Sequence, residues 1–242
     1  MALIRLQKYL ALSGICSRRK GETCIQEGMV SVNGQIVTEM GFKVDPVKDV
    51  VAFQGNPVKM EQAPVYIALN KPVGYVSSCN QRNVKIVLDL VNDLPGRIYP
   101  IGRLDKDSTG LLLLTNDGRL HHQLSHPSFD HEKEYEVQVM HPISDDTLSK
   151  MASGIPLDGV MTRRAEIKRV STNRFRIVLK EGKNRQIRRM VKHVGNEVQS
   201  LKRLRISTIT LGRLKEGAWR YLTPEEKNGL LGRIGLSSKR KS

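Results

Sequence analysis

Two aspartates, Asp105 and Asp107, follow Arg103 in a short polar stretch that lies between two apolar segments. Residues 99–101 before the stretch favour a strand, and the four leucines at 111–114 suit a strand buried on both faces. The polar residues between these segments are mostly turn formers. Acidic side chains on a tight loop held by two core strands are typical of an active site.

The Asp-x-Asp-x-Thr-Gly series at residues 105–110 also admits simpler interpretations. An aspartate beside glycine and serine most often caps its own backbone in a turn. An EF-hand calcium loop needs a bidentate glutamate at its twelfth position, where this chain has Asn116. Phosphatases of the haloacid dehalogenase class place the apolar strand before the first aspartate, whereas here the leucines follow it. The spacing therefore favours neither alternative chemistry, and the turn interpretation stays open.

The composition of the chain favours a polyanionic partner. Lysine and arginine number 40 in 242 residues against 24 acidic residues, so the formal net charge is +16 at pH 7. Nucleic acid is the usual partner of such a protein, and an anionic membrane surface is the competing one. A hydrophobic content of 39% is enough for a folded core.

Several features favour a cytoplasmic protein with no membrane partner. No apolar stretch approaches the roughly 20 residues that span a bilayer. Basic residues interleave with apolar ones at the start of the chain, which predicts an amphipathic helix and not a signal peptide. The three cysteines, Cys16, Cys24 and Cys79, are odd in number and lack metal-ligand spacing, so we expect reduced thiols.

Residues 1–60 predict a small separate module made of helix, helix, hairpin and strand. Ser17 is placed to cap the second helix. Alternating apolar residues around Asn33 and Gly34 predict a hairpin with a type I′ turn, and residues 49–53 predict a further strand. The basic side chains gathered at the two helices are Arg5, Lys8, Arg18, Arg19 and Lys20.

This module, and above all its string RLQKYLALSGICSRR, resembles an S4 RNA-binding domain. The resemblance implies that its basic side chains bind phosphates and add affinity more than base choice. The alternative is a merely solvated basic face. Lys20-Gly21 departs from the family pattern, which often has an acid and an alanine there, and a glycine inside a helix costs about 1 kcal/mol.

A polar linker at residues 61–64 leads to a second, α+β domain that we expect to cover residues 65–232, followed by a basic flexible tail at 233–242. Short helices are predicted at 84–91, 119–125 and 144–151, and strands at 65–69, 132–139, 155–179 and 198–211. Thr223 opens a final helix through a capping box. His121, His122 and His126 lack a cysteine or acid at ligand spacing, so we expect no metal.

Residues 185–194 predict an amphipathic helix with a cationic stripe. Ile187, Met190, Val191 and Val194 recur at helical spacing and form its apolar face. The opposite side carries the basic residues Arg185, Arg188, Arg189 and Lys192. Such a helix can pack on a sheet while it presents charge to phosphates, although a solvated basic face is the alternative.

Four short motifs occur in order along the second domain. They are Lys71-Pro-x-Gly74, Arg103-Leu-Asp105, Lys133-x-Tyr135 and Gln186-Ile-Arg188. In this order, and behind an S4-like module, they resemble the RsuA-type pseudouridine synthase family. The resemblance implies a mainly antiparallel mixed sheet flanked by helices. It also implies a cofactor-free, monomeric enzyme that isomerises a uridine of ribosomal RNA to pseudouridine.

The resemblance also implies roles for single residues. Asp105 would attack the ribose or remove one of its protons, Tyr135 would stack on the target base, and Arg188 would pair with Asp105. An arginine in that place offsets the cost of holding an ionised carboxylate in a pocket. Arg103 would take the place of the base that leaves its stack. The expected RNA contacts in this domain are Lys71, Arg103, Arg185, Arg189 and Lys192.

The central string and residues 130–135 look closest to family members that act on large-subunit ribosomal RNA. Three alternatives remain open at this point. The same chemistry on small-subunit ribosomal RNA is the first, and transfer RNA as an additional substrate is the second. The third is a ribosome assembly protein that binds RNA without catalysis, for which the charge and the S4-like module would suffice.

Overall fold

A computed structural model describes residues 3–60, 63–94, 96–125 and 129–236. The chain divides into two compact units, of which the first comprises Met1–Pro64 with Leu94–Arg97 and the second Val65–Asp93 with Ile98–Ser242. The predicted linker and tail fall partly outside the described residues, as does His126. In the described part, no helix is long and apolar enough to cross a membrane. All three cysteines are free thiols.

The first unit packs two short helices against small antiparallel sheets. Its elements are β1 (Ile4–Arg5), α1 (Leu6–Leu12), α2 (Arg18–Gln26), β2 (Val30–Val32), β3 (Gln35–Ile36), β4 (Lys43–Val44), β5 (Val51–Phe53) and β6 (Asn56–Pro57). The order β3-β2-β5-β6 forms one sheet, and β1 pairs with β4. This is the predicted succession of helix, helix, hairpin and strand.

Local chemistry explains the boundaries of these elements. Ser17 caps α2 by accepting a hydrogen bond from the backbone N–H of Lys20 at 3.1 Å. Asn33 and Gly34 both have positive φ, 53° and 84°, as a type I′ turn requires. A Cβ on Gly21 would lie 3.4 Å from the Cα of Gln7. The glycine therefore accompanies a close approach of α1 and α2, which the sequence pattern alone did not reveal.

The second unit is built on one large sheet with helices. Its strands are β7 (Tyr66–Lys71), β8 (Tyr99–Ile101), β9 (Thr109–Thr115), β10 (Lys133–Val139), β11 (Pro156–Leu157), β12 (Val160–Met161), β13 (Glu166–Ser171), β14 (Arg174–Leu179), β15 (Val198–Ile206), β16 (Ile209–Thr210) and β17 (Trp219–Tyr221). Its α-helices are α3 (Gly118–Ser125), α4 (Asp145–Ser153), α5 (Gln186–His193) and α6 (Pro224–Arg233).

The strand order is β13-β14-β10-β15-β9-β7-β17, with β16 beside β15 and β8 beside β9, while β11 and β12 form a separate pair. All these pairings are antiparallel except that of β15 with β9, which is parallel. The α+β fold with a mainly antiparallel mixed sheet is therefore confirmed. Since β9 follows the polar stretch at 102–108 directly, the parallel pairing places that stretch at the middle of the sheet.

Two apolar clusters hold the helices on the sheet. Val137 and Phe175 belong to a cluster that β10 and β14 share with α4 and α5. Leu111 and Leu113 of β9 belong to another, together with residues of α3 and α6. The apolar face predicted for α5 is buried at Ile187, Met190 and Val191. Both clusters therefore fix the elements that flank the aspartates.

The predicted helix at 84–91 is shorter in the structure, where only Val87–Leu90 forms a single 3₁₀ turn. Asp89 accepts a hydrogen bond from the backbone N–H of Ile86 at 2.8 Å and so closes this turn. The final helix begins as predicted. The Thr223 hydroxyl accepts from the N–H of Glu226, and the Glu226 carboxylate accepts from the N–H of Thr223.

Candidate active site

Residues 102–108, called here the Asp105 loop, connect β8 to β9. Leu104 anchors the loop because its side chain is buried and its backbone is bound on both sides by Ser77. The Ser77 hydroxyl donates to the Leu104 carbonyl at 2.9 Å and accepts from the Leu104 N–H at 3.1 Å. The next residue, Asp105, keeps 32% of its side chain exposed. The loop thus holds a half-exposed carboxylate on a fixed backbone.

The cation that faces Asp105 is Arg185. Its Nη1 lies 3.7 Å from the Asp105 Oδ2, and its Nη2 lies 2.9 Å from the Asp107 Oδ2. Arg185 immediately precedes α5 and has left-handed backbone angles, φ 46° and ψ 33°. Its guanidinium therefore bridges the two carboxylates of the Asp105 loop.

Arg188 binds Asp107, whereas the resemblance implied that it would pair with Asp105. Its Nη2 donates to the backbone oxygen of Asp107 at 2.9 Å, and its Nε lies 3.4 Å from the Asp107 carboxylate. Its Nη1 also donates to the Val198 carbonyl at 3.4 Å. This side chain is largely buried beside α5 and β15, and its N–H groups donate to the backbone oxygens of Asp107 and Val198. In this structure Arg188 fixes the loop, and Arg185 supplies the nearer charge.

Asp107 is the more strongly paired acid of the loop. Partial burial acts to raise the pKa of its carboxyl, but the hydrogen bond from Arg185 and the charges of Arg188 and Arg185 outweigh it. The net pKa of Asp107 lies below its ordinary value. Both arginines therefore form ion pairs with Asp107, whereas Asp105 forms a longer one with Arg185.

Lys71 does not lie on a surface where RNA could contact it, contrary to expectation. It is fully buried at the end of β7, and its Nζ donates to the carbonyls of Pro72 and Ser108 at 2.9 and 2.8 Å. Burial lowers the pKa of Lys71 to about 8, although the charges of Asp107 and Asp105 oppose that shift. The aliphatic part of the side chain is suited to the core. Its ammonium group links the turn after β7 to the Asp105 loop through these two hydrogen bonds.

Tyr135 lies in β10, two strands away from β9. It is half-buried against the apolar cluster that contains Val137 and Phe175. It stands opposite Arg203 of β15, which in turn stands opposite Gly110 of β9. Since adjacent strands are about 4.8 Å apart, the backbones of Tyr135 and Gly110 are separated by roughly 10 Å. The sheet therefore brings the tyrosine to the neighbourhood of the Asp105 loop, which ends two residues before Gly110.

The expected RNA contacts of the second unit, apart from Lys71, lie at or near the surface. Arg103 is exposed in the Asp105 loop, and Lys192 is exposed on α5. Arg189 is partly exposed and forms an ion pair with Asp158 at 2.6 Å. A cleft of about 670 Å³ runs along α5 and is lined by Arg185, Arg188, Arg189 and Lys192, among others. The cationic stripe thus continues away from Asp105.

In the first unit, the expected RNA contacts are also accessible. Arg5, Arg18, Arg19 and Lys20 are exposed, and Lys8 is partly exposed. They lie on β1, α1 and α2. The described part of the chain holds no cluster of three or more histidine, cysteine or acidic side chains with metal-binding geometry.

Sequence reasoning missed two residues that shape the site. Ser77 stood in a stretch with no motif, and only the fold places its hydroxyl on the Leu104 backbone. Arg203 is almost completely buried and donates to the carbonyl of Leu111 at 2.7 Å. Charged residues are rarely buried, so an arginine in a predicted strand gives no sign of its burial.

Comparison with known proteins supports the same interpretation. The model of the RNA pseudouridylate synthase family matches residues 65–193, and the S4 domain model matches residues 4–51. The dual-specificity RNA pseudouridine synthase RluF of Escherichia coli strain K12 is 44% identical over 97% of this chain and 81% of its own length. The ribosomal large subunit pseudouridine synthase B of Bacillus subtilis is 42% identical over 92% and 93%.

A solved structure agrees with these sequence matches. A crystal structure described as a pseudouridylate synthase superposes with a TM-score of 0.68 at 29% identity, covering 94% of this chain and 99% of its own. The resemblance found in the four motifs and in the S4-like module is therefore confirmed. The chain belongs to the RNA pseudouridylate synthase family, in its RsuA-type branch with an S4 domain.

Proposed function

We propose that this enzyme isomerises a uridine of large-subunit ribosomal RNA to pseudouridine, with Asp105 as the group that acts on the ribose. The observation that carries the residue assignment is the half-exposed Asp105 carboxylate on a pinned loop, with the Arg185 guanidinium 3.7 Å away. The large subunit is favoured because a relative with 42% identity bears that substrate in its name. Membership of an enzyme family argues against the alternative of a non-catalytic assembly protein.

The reaction needs no external electrons or group donor, so the proposal includes no cofactor. The N-glycosidic bond breaks, the uracil turns, and a bond forms between its C5 and the ribose. The proton on C5 is then released and N1 takes up a proton, so the product is an isomer of the substrate. Asp105 either attacks the sugar carbon or removes a ribose proton, and both routes need its ionised form. The adjacent guanidinium of Arg185 offsets the cost of keeping that charge in a partly desolvated site.

The other site residues act on the base and on the loop. Tyr135 is proposed to stack on the uracil, a contact worth about 1–3 kcal/mol per base. Arg188 keeps the Asp105 loop in place through the Asp107 backbone oxygen. Arg103, exposed next to the reacting region, is proposed to occupy the space that the flipped nucleotide leaves.

The remaining cations are proposed to bind the RNA backbone. Phosphate contacts position a nucleic acid without reading its sequence. The stripe of Arg185, Arg189 and Lys192 continues from the loop along α5. In the S4 domain the proposed contacts are Arg5, Lys8, Arg18, Arg19 and Lys20.

We further propose that the enzyme works as a monomer in the cytoplasm. Asp105, Asp107, Arg185 and Arg188 of one chain already meet in the candidate site, so the proposed chemistry requires no second copy. The three free thiols and the ribosomal substrate named for a relative favour a reducing compartment that contains ribosomes.

Replacement of Asp105 by asparagine tests the catalytic assignment. With RNA that carries uridine tritiated at C5, turnover releases tritium, so we expect no release from Asp105→Asn and unchanged RNA affinity. Asp146→Asn, an exposed carboxylate on α4, is the matched control and should release tritium at the normal rate. Full activity of Asp105→Asn would end the assignment. Chemical labelling of pseudouridine in ribosomal RNA from a deletion strain would identify the target.

A further inference from the structure

Arg203 is a buried arginine for which the described part of the chain provides no acidic partner. It is 2% exposed in β15, at the centre of the sheet. Its Nε donates to the carbonyl of Leu111 at 2.7 Å, and its Nη1 donates to the carbonyl of Arg103 at 3.3 Å. Among the described residues, no carboxylate forms an ion pair with it, and its buried Nη2 has no hydrogen-bond partner.

Such a group is costly to retain. A buried charge without a counter-charge loses its hydration and gains no ion pair in return. Two positive charges are also near, because the Arg203 charge contributes to lowering the pKa of Lys71 and of Lys133, in both cases after the larger effect of burial. An apolar side chain of similar length would avoid this cost, but it would leave the carbonyls of Leu111 and Arg103 without this donor.

The contacts of Arg203 connect the two halves of the proposed site. Its backbone stands opposite Gly110 of β9 on one side and opposite Tyr135 of β10 on the other. Its guanidinium carbon lies 6.0 Å from the centre of the Tyr135 ring, within the range of a cation–π contact. The Arg103 carbonyl that it holds belongs to the Asp105 loop, two residues before the carboxylate.

We propose that Arg203 is a positioning residue, which sets the Tyr135 ring and the Asp105 loop in one geometry for the isomerisation. The inference rests on the proposed roles of Asp105 and Tyr135. A rigid fork that binds backbone oxygens on one side and faces an aromatic ring on the other is a property of arginine that lysine and methionine lack. A displacement of about 1 Å in such a site costs on the order of 100-fold in rate.

The test compares Arg203→Met and Arg203→Lys with Arg205→Lys. Arg205 lies on the same strand but pairs with Glu132 and Glu134, so it reports what an arginine substitution in β15 does by itself. Single-turnover tritium release at saturating RNA, RNA affinity and thermal unfolding are measured for each protein. Arg203→Met removes a buried unpaired charge but leaves the carbonyls of Leu111 and Arg103 without this donor, so each rate is compared at a temperature at which all the variants are folded.

We expect the rate at saturating RNA to fall about 10- to 100-fold in Arg203→Met and less in Arg203→Lys, with RNA affinity unchanged. Arg205→Lys should keep the wild-type rate. A wild-type rate in both Arg203 variants would overturn the inference, and so would a loss of rate that only accompanies unfolding. Asp105→Asn separates the two proposals. If it remains active, the proposed function fails, whereas if it is inactive while the Arg203 variants are normal, only this inference fails.

Discussion

At the scale of the residue, one arginine supplies positive charge to the acids of the site and another holds the backbone of their loop. Arg185 faces Asp105 and Asp107 from the solvent side, whereas Arg188 reaches the same loop from within and binds its backbone. The motif identified the loop and the helix correctly as the elements that meet. The match assigned Arg188 to Asp105, whereas in the structure Arg185 lies nearer to that carboxylate and has a left-handed backbone that spacing does not reveal.

Replacing Arg185 or Arg188 should therefore affect the rate and the stability of the protein differently. Arg185→Ala removes a half-exposed charge, so we expect a 10- to 100-fold slower tritium release at saturating RNA with little change in stability. Arg188→Ala leaves the Asp107 carbonyl without its donor, so we expect a similar loss of rate together with roughly 1–3 kcal/mol lower free energy of unfolding. His193→Ala, an exposed change on the same helix, serves as the control. Equal stability of both arginine variants in urea titrations would contradict this division.

Lys71 gives the molecule a pH-dependent stability. Its pKa is about 8 in the folded chain and 10.5 when exposed. Below pH 8 both states carry the charge, and the folded state bears the whole cost of burying it. Between pH 8 and 10.5 the folded chain has lost the proton and the unfolded chain still holds it, so the free energy of unfolding rises with pH, by up to roughly 3 kcal/mol.

The variant Lys71→Met lacks this titration and isolates its effect. We expect the wild-type protein to gain stability relative to Lys71→Met when the pH is raised from 7.5 to 10. Urea denaturation at the two pH values measures the difference, in which the titration of all other groups cancels. If the stabilities of the two proteins changed with pH in parallel, the pKa of Lys71 would not be lowered in the folded chain.

At the scale of the element, periodicity predicted most helices and strands, and side-chain caps explain their boundaries. The capping box at Thr223 and the apolar face of α5 were readable because they depend on neighbours within one turn. The pairing of β15 with β9 could not be predicted from the sequence, because a parallel contact between strands about ninety residues apart leaves no local pattern. That pairing is what brings Arg203 beside the Asp105 loop.

Gly110 makes the parallel pairing possible. It has φ +102°, and a Cβ at this position would overlap the backbone N and O of Arg203. Gly110→Ala should therefore lower the free energy of unfolding by about 2–4 kcal/mol, through both backbone strain and overpacking. Gly159→Ala is the matched control, because Gly159 also has positive φ, +75°, but open space around it. A Gly110→Ala variant no less stable than this control in urea would contradict the close approach.

At the scale of the whole molecule, charge and domain content were predictable because they are sums over many residues. The net charge of +16 suggested a polyanion, and the S4 and synthase matches give that polyanion a chemical identity as RNA. Composition could not tell which cations contact phosphate and which, like Lys71, hold the fold together. That distinction depends on burial, which only the tertiary structure sets.

The S4 domain offers a test of which surface cations bind phosphate. Each phosphate contact that is lost should make the slope of log affinity against log salt shallower by roughly 0.7–0.9. Arg18→Gln with Arg19→Gln removes two exposed charges of α2, whereas Lys48→Gln with Lys59→Gln removes two exposed charges of the first unit that lie outside its helices. We expect a shallower slope and weaker RNA binding only for the α2 pair. Because both double variants change the net charge equally, an identical loss in the two would mean that general attraction, and not contact by α2, accounts for the affinity.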